Sequence, residues 1–489
     1  MKLRTLIRTA LDLDLGLPDV EVAGVAQDSR RVEPGSLFVA RRGSVTDGHR
    51  FVRAAAAAGA VALVGEAGDC DQLEGLPYIR VADARAATAR LAATLFGRPS
   101  RQLMVAGVTG TDGKTTTAFL LHHLLSPSRP TGLLSTAAVR SCHRELDLEG
   151  HFTTPEAPEI QRLLATFRDE GCSHVVVEAS SHGFAQRRLD EIAFDLGVWT
   201  NLSPEHLDFH GSLAAYREAK LELARRAQVM ILNRDDPSYA AFAAASNRSR
   251  SYGEDPASDW RALEVTPEPG GFSFEVVGPQ GRGATRLPLV GRYNLFNALA
   301  ALAAAVEAGV PFGDALDHLP SFGGVPGRMQ LVQAEPFGVV VDFAHTAPAL
   351  ERALTTLRET TRGRLIVVIG AAGERDPGKR APLGLVAARS ADLALFTEED
   401  SRSEPVGAIL EAMAAGAREA GGHEGEGFRL IPERRAAIGE ALGEARPGDT
   451  VLLAGKGHER SLERAGETLA WDEVAEARAQ LRGGSHAGH

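Results

Sequence analysis

Residues 102–125 read QLMVAGVTGTDGKTTTAFLLHHLL. An apolar run of strand length, LMVAGV, meets a Gly/Thr-rich turn and then a helical stretch, TTAFLLHHLL, which is the strand, loop and helix order of an α/β nucleotide-binding domain. Gly110 and Gly113 let the backbone turn tightly, so N–H groups at the head of the helix, Thr111 among the loop residues, can cradle phosphate. Lys114 then reaches the outer phosphates, and Thr115 or Thr116 offers a hydroxyl to Mg²⁺. The strict GxxxxGK spacing is not met, because Val108 stands at the first glycine position. A chance turn is the competing reading, and the flanking strand and helix argue against it.

Outward from this loop, HVVVEAS, FDLGVWTNLS and QVMILNRDD are apolar runs of parallel-strand length, each followed by polar loop residues where ligands collect. They extend a central nucleotide-binding domain over 98–325, the domain to which the resemblance given below assigns ATP. Upstream, residues 1–97 read as a small mixed domain, with short strands in SLFVARRG, AVALVGEA and LPYIRVAD around the helical stretch FVRAAAAAGA. Downstream of FGGVPGR the pattern restarts with GVVVDFAHT, RLIVVIGAAG, LALFTEED and TVLLAGKGHE, which predicts a doubly wound, Rossmann-like unit over 326–482. Residues 483–489, Gly- and His-rich, are expected to be a disordered tail. The fold class is therefore α/β in three domains.

Composition narrows the function. Hydrophobic residues at 44% and charged residues at 24% describe a globular chain, and no apolar run is long enough to span a bilayer or serve as a secretion signal. A formal charge of −11 argues against nucleic-acid binding, which needs a basic surface. Cys70, Cys142 and Cys172 have no CxxC spacing, which suggests neither a disulfide framework nor a structural zinc site and fits the cytoplasm.

Glu178 ends one apolar strand and His206 lies in the loop after another, so both can reach a cavity beside the phosphate loop; a carboxylate and an imidazole can hold Mg²⁺ when phosphates and water complete the octahedron. Either alone is more simply a cap or a hydrogen-bonded loop histidine. Lys220, in the helical stretch LAAYREAKLELARR, would by default be a solvated lysine.

The motifs GTDGKTT, DSRRVEPGSLFVARRG, TTP, VEASSHGFAQRRLD, TNLSPEHLDFHG, YREAK, GRYNLFNALAA, GGVPGRMQ, VDFAHT, GERDPGKR and AGKGHER together resemble, in content and order, the Mur ligase family. The resemblance is greatest to the type that adds an amino acid to UDP-N-acetylmuramoyl-L-Ala-D-Glu in peptidoglycan synthesis. It implies ATP and Mg²⁺ as cofactors, an acyl-phosphate mechanism, and three domains binding the UDP sugar, ATP and the incoming amino acid. It assigns Thr115, Glu178, His206 and a carbamylated Lys220 to the metal. Thr153, Thr154, Ser180, Gln186 and Arg188 go to the dipeptide, and Ser29, with Arg30 and the segment around His49, to the UDP edge. Asn294, Asn297, Arg328, Asp342 and His345 go to the nucleotide; helix capping and salt bridges are their default roles. Arg328 and Lys456 are expected as a cationic clamp completing the catalytic set with Lys114 and Lys220.

The incoming amino acid is expected to meet Arg375, Gly455, Glu459 and the stretch TEEDSRSE, which carries Glu399, Asp400 and Arg402. Diaminopimelate-adding relatives read DNPR there. The extra acid favours a side-chain ammonium, hence L-lysine or L-ornithine, with meso-diaminopimelate as the alternative. A monomer is expected, with no nucleic-acid partner and no membrane insertion. A folylpolyglutamate synthetase-like ligase shares the chemistry, but the SSHGFAQRR block and the N-terminal domain point away from it. A non-catalytic nucleotide-binding protein fits the phosphate loop alone.

Overall fold

The computed structural model describes residues 1–43, 46–66, 75–146, 154–268 and 270–484. The chain divides into two compact units, Met1–Arg261 with Gly278–Gly281 and Leu299–Ala315, and Ala262–Val277 with Arg282–Ala298 and Leu316–His489. Helix Tyr293–Glu307 contributes to both.

The first unit holds two sheets. One is parallel and four-stranded, in the order Gly24–Ala26, Ser36–Ala40, Ala62–Gly65, Tyr78–Arg80. Helix Leu3–Leu11 places Leu3, Leu6, Ile7 and Ala10 on one face, the spacing that buries a single stripe against this sheet. Asp83 caps helix Ala84–Leu95 by accepting the Ala86 N–H at 2.9 Å. The other sheet has eight strands, in the order Ser249–Tyr252, Val229–Asn233, Leu196–Trp199, Met104–Thr109, His174–Glu178, Thr131–Leu134, Val139–Arg140, Glu145–Leu146. The first six run parallel; the last two turn back antiparallel. Their apolar runs are buried on both faces, as parallel strands covered by helices must be. The phosphate-loop strand Met104–Thr109 lies between Leu196–Trp199 and His174–Glu178, so the loops after all three leave the same edge.

In the second unit a six-stranded sheet runs Gln330–Gln333, Gly338–Asp342, Thr450–Ala454, Leu365–Ala371, Leu393–Glu398, Phe428–Leu430, parallel except for the first strand. Helices Ala347–Thr360, Arg380–Ser390 and Val406–Glu419 cover one face, and Arg434–Glu444 with Glu473–Gly484 the other. This is the doubly wound arrangement expected from sequence. A three-stranded sheet of Arg261–Glu268, Gly271–Gly278 and Gly281–Leu287 was not. The last helix ends at Gly484, and the rest of the expected tail lies outside the described residues. No described helix is long and apolar enough to cross a membrane.

Candidate active site

The phosphate loop is pinned from below by the loop after Leu196–Trp199. The Thr111 N–H donates to the Asn201 carbonyl and the Asp112 N–H to Asn201 Oδ1, both at 2.9 Å. Thr200 Oγ1 donates to the Asp112 carbonyl at 2.6 Å. Gly110 takes a φ of 152°, and a Cβ there would lie 1.8 Å from Thr200 Oγ1, so only glycine fits. Gly113, at φ 81°, caps helix Lys114–Leu125. Thr115 and Thr116 stand half-exposed on its first turn, with no side-chain hydrogen bond among the described residues. Thr111 is buried, sharing its hydroxyl with the Ser203 backbone and the Tyr216 phenol.

Two lysines converge on one carbonyl. Lys114 Nζ donates to the Gly110 and Thr111 carbonyls at 3.1 and 2.7 Å, and Lys220 Nζ donates to the same Gly110 carbonyl. The default expectation of a solvated Lys220 is wrong: the residue is 1% exposed and its ammonium lies 4.6 Å from the centre of the Tyr216 ring. Burial, reinforced by the charge on Lys114, holds its pKa well below the ordinary lysine value.

Glu178 faces Val108 across the sheet and is fully buried, its carboxylate accepting from the hydroxyls of Ser135 and Thr136. His206 is exposed, with φ 54°, at the head of the short helix Leu207–His210. Its ring packs edge-on to His182 at 4.7 Å, and His210 lies 5.4 Å from His182. Burial, with His206 and His210 beside it, pushes His182 down to about 4 and so keeps it neutral near pH 7. Among the described residues no group of three or more His, Cys, Asp or Glu is arranged to hold a metal ion by itself.

Thr154, Ser180, Gln186 and Arg188 are brought together. Thr154 Oγ1 lies 2.8 Å from Ser180 Oγ, Arg188 donates to the Thr154 carbonyl at 2.8 Å and to Gln186 Oε1 at 2.6 Å, and Ser180 caps helix Ser181–Ala185. Thr153 lies outside the described residues. Sequence reasoning missed Glu156 and Arg41: Glu156 pairs with Arg188 at 2.9 Å and with Arg41 at 3.4 Å. The position of Glu156, directly after TTP, was the available signal. Ser29 opens a short turn capped by Asp28, which also holds Arg30, and His49 is bonded to Asp47 at 2.6 Å.

In the second unit Asn294 donates to the Val290 carbonyl and Asn297 to Asn294 Oδ1, both buried at the start of the helix. Asp342 accepts the Met329 and Ala344 N–H groups, and burial raises its pKa. Arg328 lies over the Phe343 ring at 4.8 Å with its Nε buried and without a hydrogen-bond partner. His345 is exposed and packs on the same ring.

Lys456 does not stand free for a clamp. It is fully buried between Asp400 at 2.8 Å and Glu459 at 2.6 Å. Asp400 also accepts the Glu463 N–H at 2.9 Å, and Arg402 pairs with Glu463 at 2.7 Å while donating to the Gly373 carbonyl. Glu399 differs from these: it is buried, its Oε2 has no hydrogen-bond partner, and burial pushes its carboxyl up to about 7. Gly455, at φ 103°, leaves room beside that oxygen, since a Cβ would lie 2.9 Å from it. Arg375 is exposed and has no polar partner among the described residues. The ends of the strands carrying Glu398 and Ala454 are tied by Arg434, a residue sequence reasoning did not single out. It donates to the Glu398 and Ala454 carbonyls at 3.2 and 2.8 Å and pairs with Glu473 at 2.6 Å, both side chains fully buried.

The architecture and this set of loops are those of ATP-dependent amide-bond ligases. Residues 21–95 match the Mur ligase family catalytic domain, 108–305 the Mur ligase middle domain, and 327–457 the glutamate ligase domain of Mur ligases. A UDP-N-acetylmuramyl-tripeptide synthetase of Deinococcus radiodurans is 51% identical over 95% of each chain. The UDP-N-acetylmuramoyl-L-alanyl-D-glutamate–2,6-diaminopimelate ligase of Streptomyces coelicolor is 40% identical over 96% of this chain and 94% of that one. A solved structure of a ligase of the latter name superposes with a TM-score of 0.72 at 29% identity over the whole of both chains. The chain belongs to the Mur ligase family and is an ATP-dependent amide-bond-forming ligase.

Proposed function

We propose that the protein joins a diamino acid to UDP-N-acetylmuramoyl-L-Ala-D-Glu, using ATP and Mg²⁺, in the cytoplasm. The observation that carries this reading is the convergence of Lys114 and the buried Lys220 on the Gly110 carbonyl, beside the Thr154, Ser180, Gln186 and Arg188 cluster. The three domains, 1–97, 98–325 and 326–482, then take the UDP sugar, ATP and the amino acid in turn.

A carboxylate is a poor acyl donor, so the dipeptide's glutamate is first phosphorylated and the amine then attacks the acyl phosphate. Arg188, with Thr154, Ser180 and Gln186, orients the dipeptide, and Lys114 neutralises the transferring phosphoryl group. Thr115 or Thr116, Glu178 and His206 supply the hard oxygens and the imidazole that suit Mg²⁺, and a carbamate on Lys220 would add a further oxygen ligand. The metal when bound supplies charge neutralisation at the phosphoryl oxygens. Arg328, whose Nε lacks a partner, suits a nucleotide phosphate, with Asn294, Asn297, Asp342 and His345 around the rest of the nucleotide. Lys456 is committed to Asp400 and Glu459 and serves instead to neutralise that acidic pocket.

For the amino acid, the unpartnered Glu399 oxygen beside Gly455 favours a side-chain ammonium, hence L-lysine or L-ornithine. The second reading, meso-diaminopimelate, draws on the names of several relatives and on the exposed Arg375, which suits a distal carboxylate. The test is incubation with ATP, Mg²⁺, the UDP-muramoyl dipeptide and each amine separately, with phosphate release and product mass as readouts. Tripeptide with lysine or ornithine supports the first reading, and tripeptide with diaminopimelate the second. Absence of product with every amine would reject both readings.

A further inference from the structure

Cys142 and Cys172 stand apart from everything assigned above. They are 30 residues apart in sequence, yet their Sγ atoms lie 2.7 Å from each other, and the Cys142 N–H donates to Cys172 Sγ at 3.1 Å. Both are free thiols, Cys142 half-buried and Cys172 buried. Their spacing matches no motif; only the fold brings the two together.

The apposition is held from both sides. Cys142 sits in the turn between Val139–Arg140 and Glu145–Leu146, where Ser141 Oγ accepts the His143 and Arg144 N–H groups, both at 3.2 Å. That turn is fastened to the segment after helix Ala157–Asp169 by the Arg144–Glu170 ion pair at 2.7 Å and by His143 Nε2 against the Glu170 carbonyl at 2.9 Å. Cys172 is packed in the apolar core with Phe167 and Leu163, so its sulfur cannot swing away into solvent. A disulfide bond of ~2.05 Å needs these two atoms to approach by only ~0.7 Å.

We propose that Cys142 and Cys172 are a site of reversible thiol–disulfide exchange with low-molecular-weight disulfides, closing to an intramolecular disulfide. The half-exposed Cys142 thiolate attacks one sulfur of the small disulfide; a mixed disulfide forms at Cys142 and one small thiol leaves. Cys172 then attacks Cys142 Sγ, its proton passing to the departing thiolate, and the second small thiol leaves, so the protein loses two hydrogens and the reagent gains them. The order follows from exposure: burial pushes the Cys172 thiol up to about 12, which suits the later, intramolecular attack on a neighbour already in place. The closed loop restricts the unfolded chain and raises thermal stability. A compartment with a thiol pool returns the pair to the reduced form, as for a transient disulfide in a reducing cell.

The experiment uses the native full chain equilibrated with oxidised glutathione, then alkylated in denaturant and mapped by mass without reduction. The expected result is a cross-linked Cys142–Cys172 peptide, an intact mass lower by two hydrogens, and a higher unfolding temperature, all reversed by dithiothreitol. In the Cys172→Ser chain a glutathione adduct should persist on Cys142. Alkylation of both thiols after equilibration overturns the proposal, as does a cross-link through Cys70, a stable adduct on Cys142 while Cys172 is present, or no adduct in Cys172→Ser. The native-chain map needs no variant to fold, so it decides the matter by itself.

Discussion

Lys220 shows how one side chain departs from its default. Written in a helix among charged residues, it reads as solvated; in the fold it is sealed beneath the phosphate loop, and burial, with Lys114 beside it, lowers its pKa and so favours the neutral amine, the form that attacks carbon dioxide. The expected outcome is a carbon-13 carbamate resonance when the protein is equilibrated with labelled bicarbonate, absent in Lys220→Arg, with ligation in that variant lower by roughly 10²-fold or more. A resonance that survives the substitution would place the carbamate elsewhere. Glu399 is the second such residue. Burial raises its folded pKa from 4.5 to about 7, so between those values the folded state holds a proton that the unfolded state has released. Stability therefore falls as pH rises across that window and is level above it, by an amount on the order of 3 kcal/mol. Glu399→Gln should flatten this slope in denaturation curves recorded across the window. If Glu399 meets a side-chain ammonium, KM for lysine or ornithine should also fall as pH rises through the Glu399 pKa in the wild type, and not in the variant.

At the scale of elements, what the sequence made legible were the strands that are apolar along their whole length. LMVAGV, HVVVE and VMILN are buried on both faces, and burial on both faces is what an unbroken apolar run records. The sheet Arg261–Glu268, Gly271–Gly278, Gly281–Leu287 escaped because its first and last strands are interrupted by polar residues and are mostly only half-buried, so no apolar run marks them. The site was legible where a motif fixes local backbone, as in GTDGKTT, and illegible where a distant residue does the holding. Arg434 is the clearest such case: nothing near it in sequence announces that it binds the ends of two strands through Glu398 and Ala454. Removing it leaves Glu473 buried without its partner, so Arg434→Leu should cost about 3–5 kcal/mol of stability. The double change Arg434→Leu, Glu473→Leu should recover much of that loss while KM for the amino acid stays raised, because the loops after both strands have lost their tie. Full recovery of KM in the double variant would reduce Arg434 to a stabilising role.

For the whole molecule, the order of motifs along 489 residues made the family legible before any coordinate, whereas the charge state of each pocket was not, since Asp400 and Lys456 neutralise one another only once folded. The net charge of −11 acts on every substrate, and its sign gives a test of which amine the enzyme takes. The UDP-muramoyl dipeptide is an anion, and approaches against the field of the whole protein; in the proposed site Lys114, Arg188 and Arg41 would attract it only at close range. The field reaches ~30 Å at 0.01 M salt but only ~8 Å at 0.15 M, so between those conditions the long-range repulsion is screened while the local cations still act. KM for the dipeptide is expected to fall with added salt. Lysine and ornithine carry a net positive charge, are drawn in by the same field, and should show the opposite slope, KM rising with salt. Meso-diaminopimelate has no net charge and should show neither. Steady-state KM for each substrate at low and moderate ionic strength checks this directly: a dipeptide KM that rises with salt would mean that the local cations govern approach, and a flat profile for a turned-over amine would identify it as the neutral one.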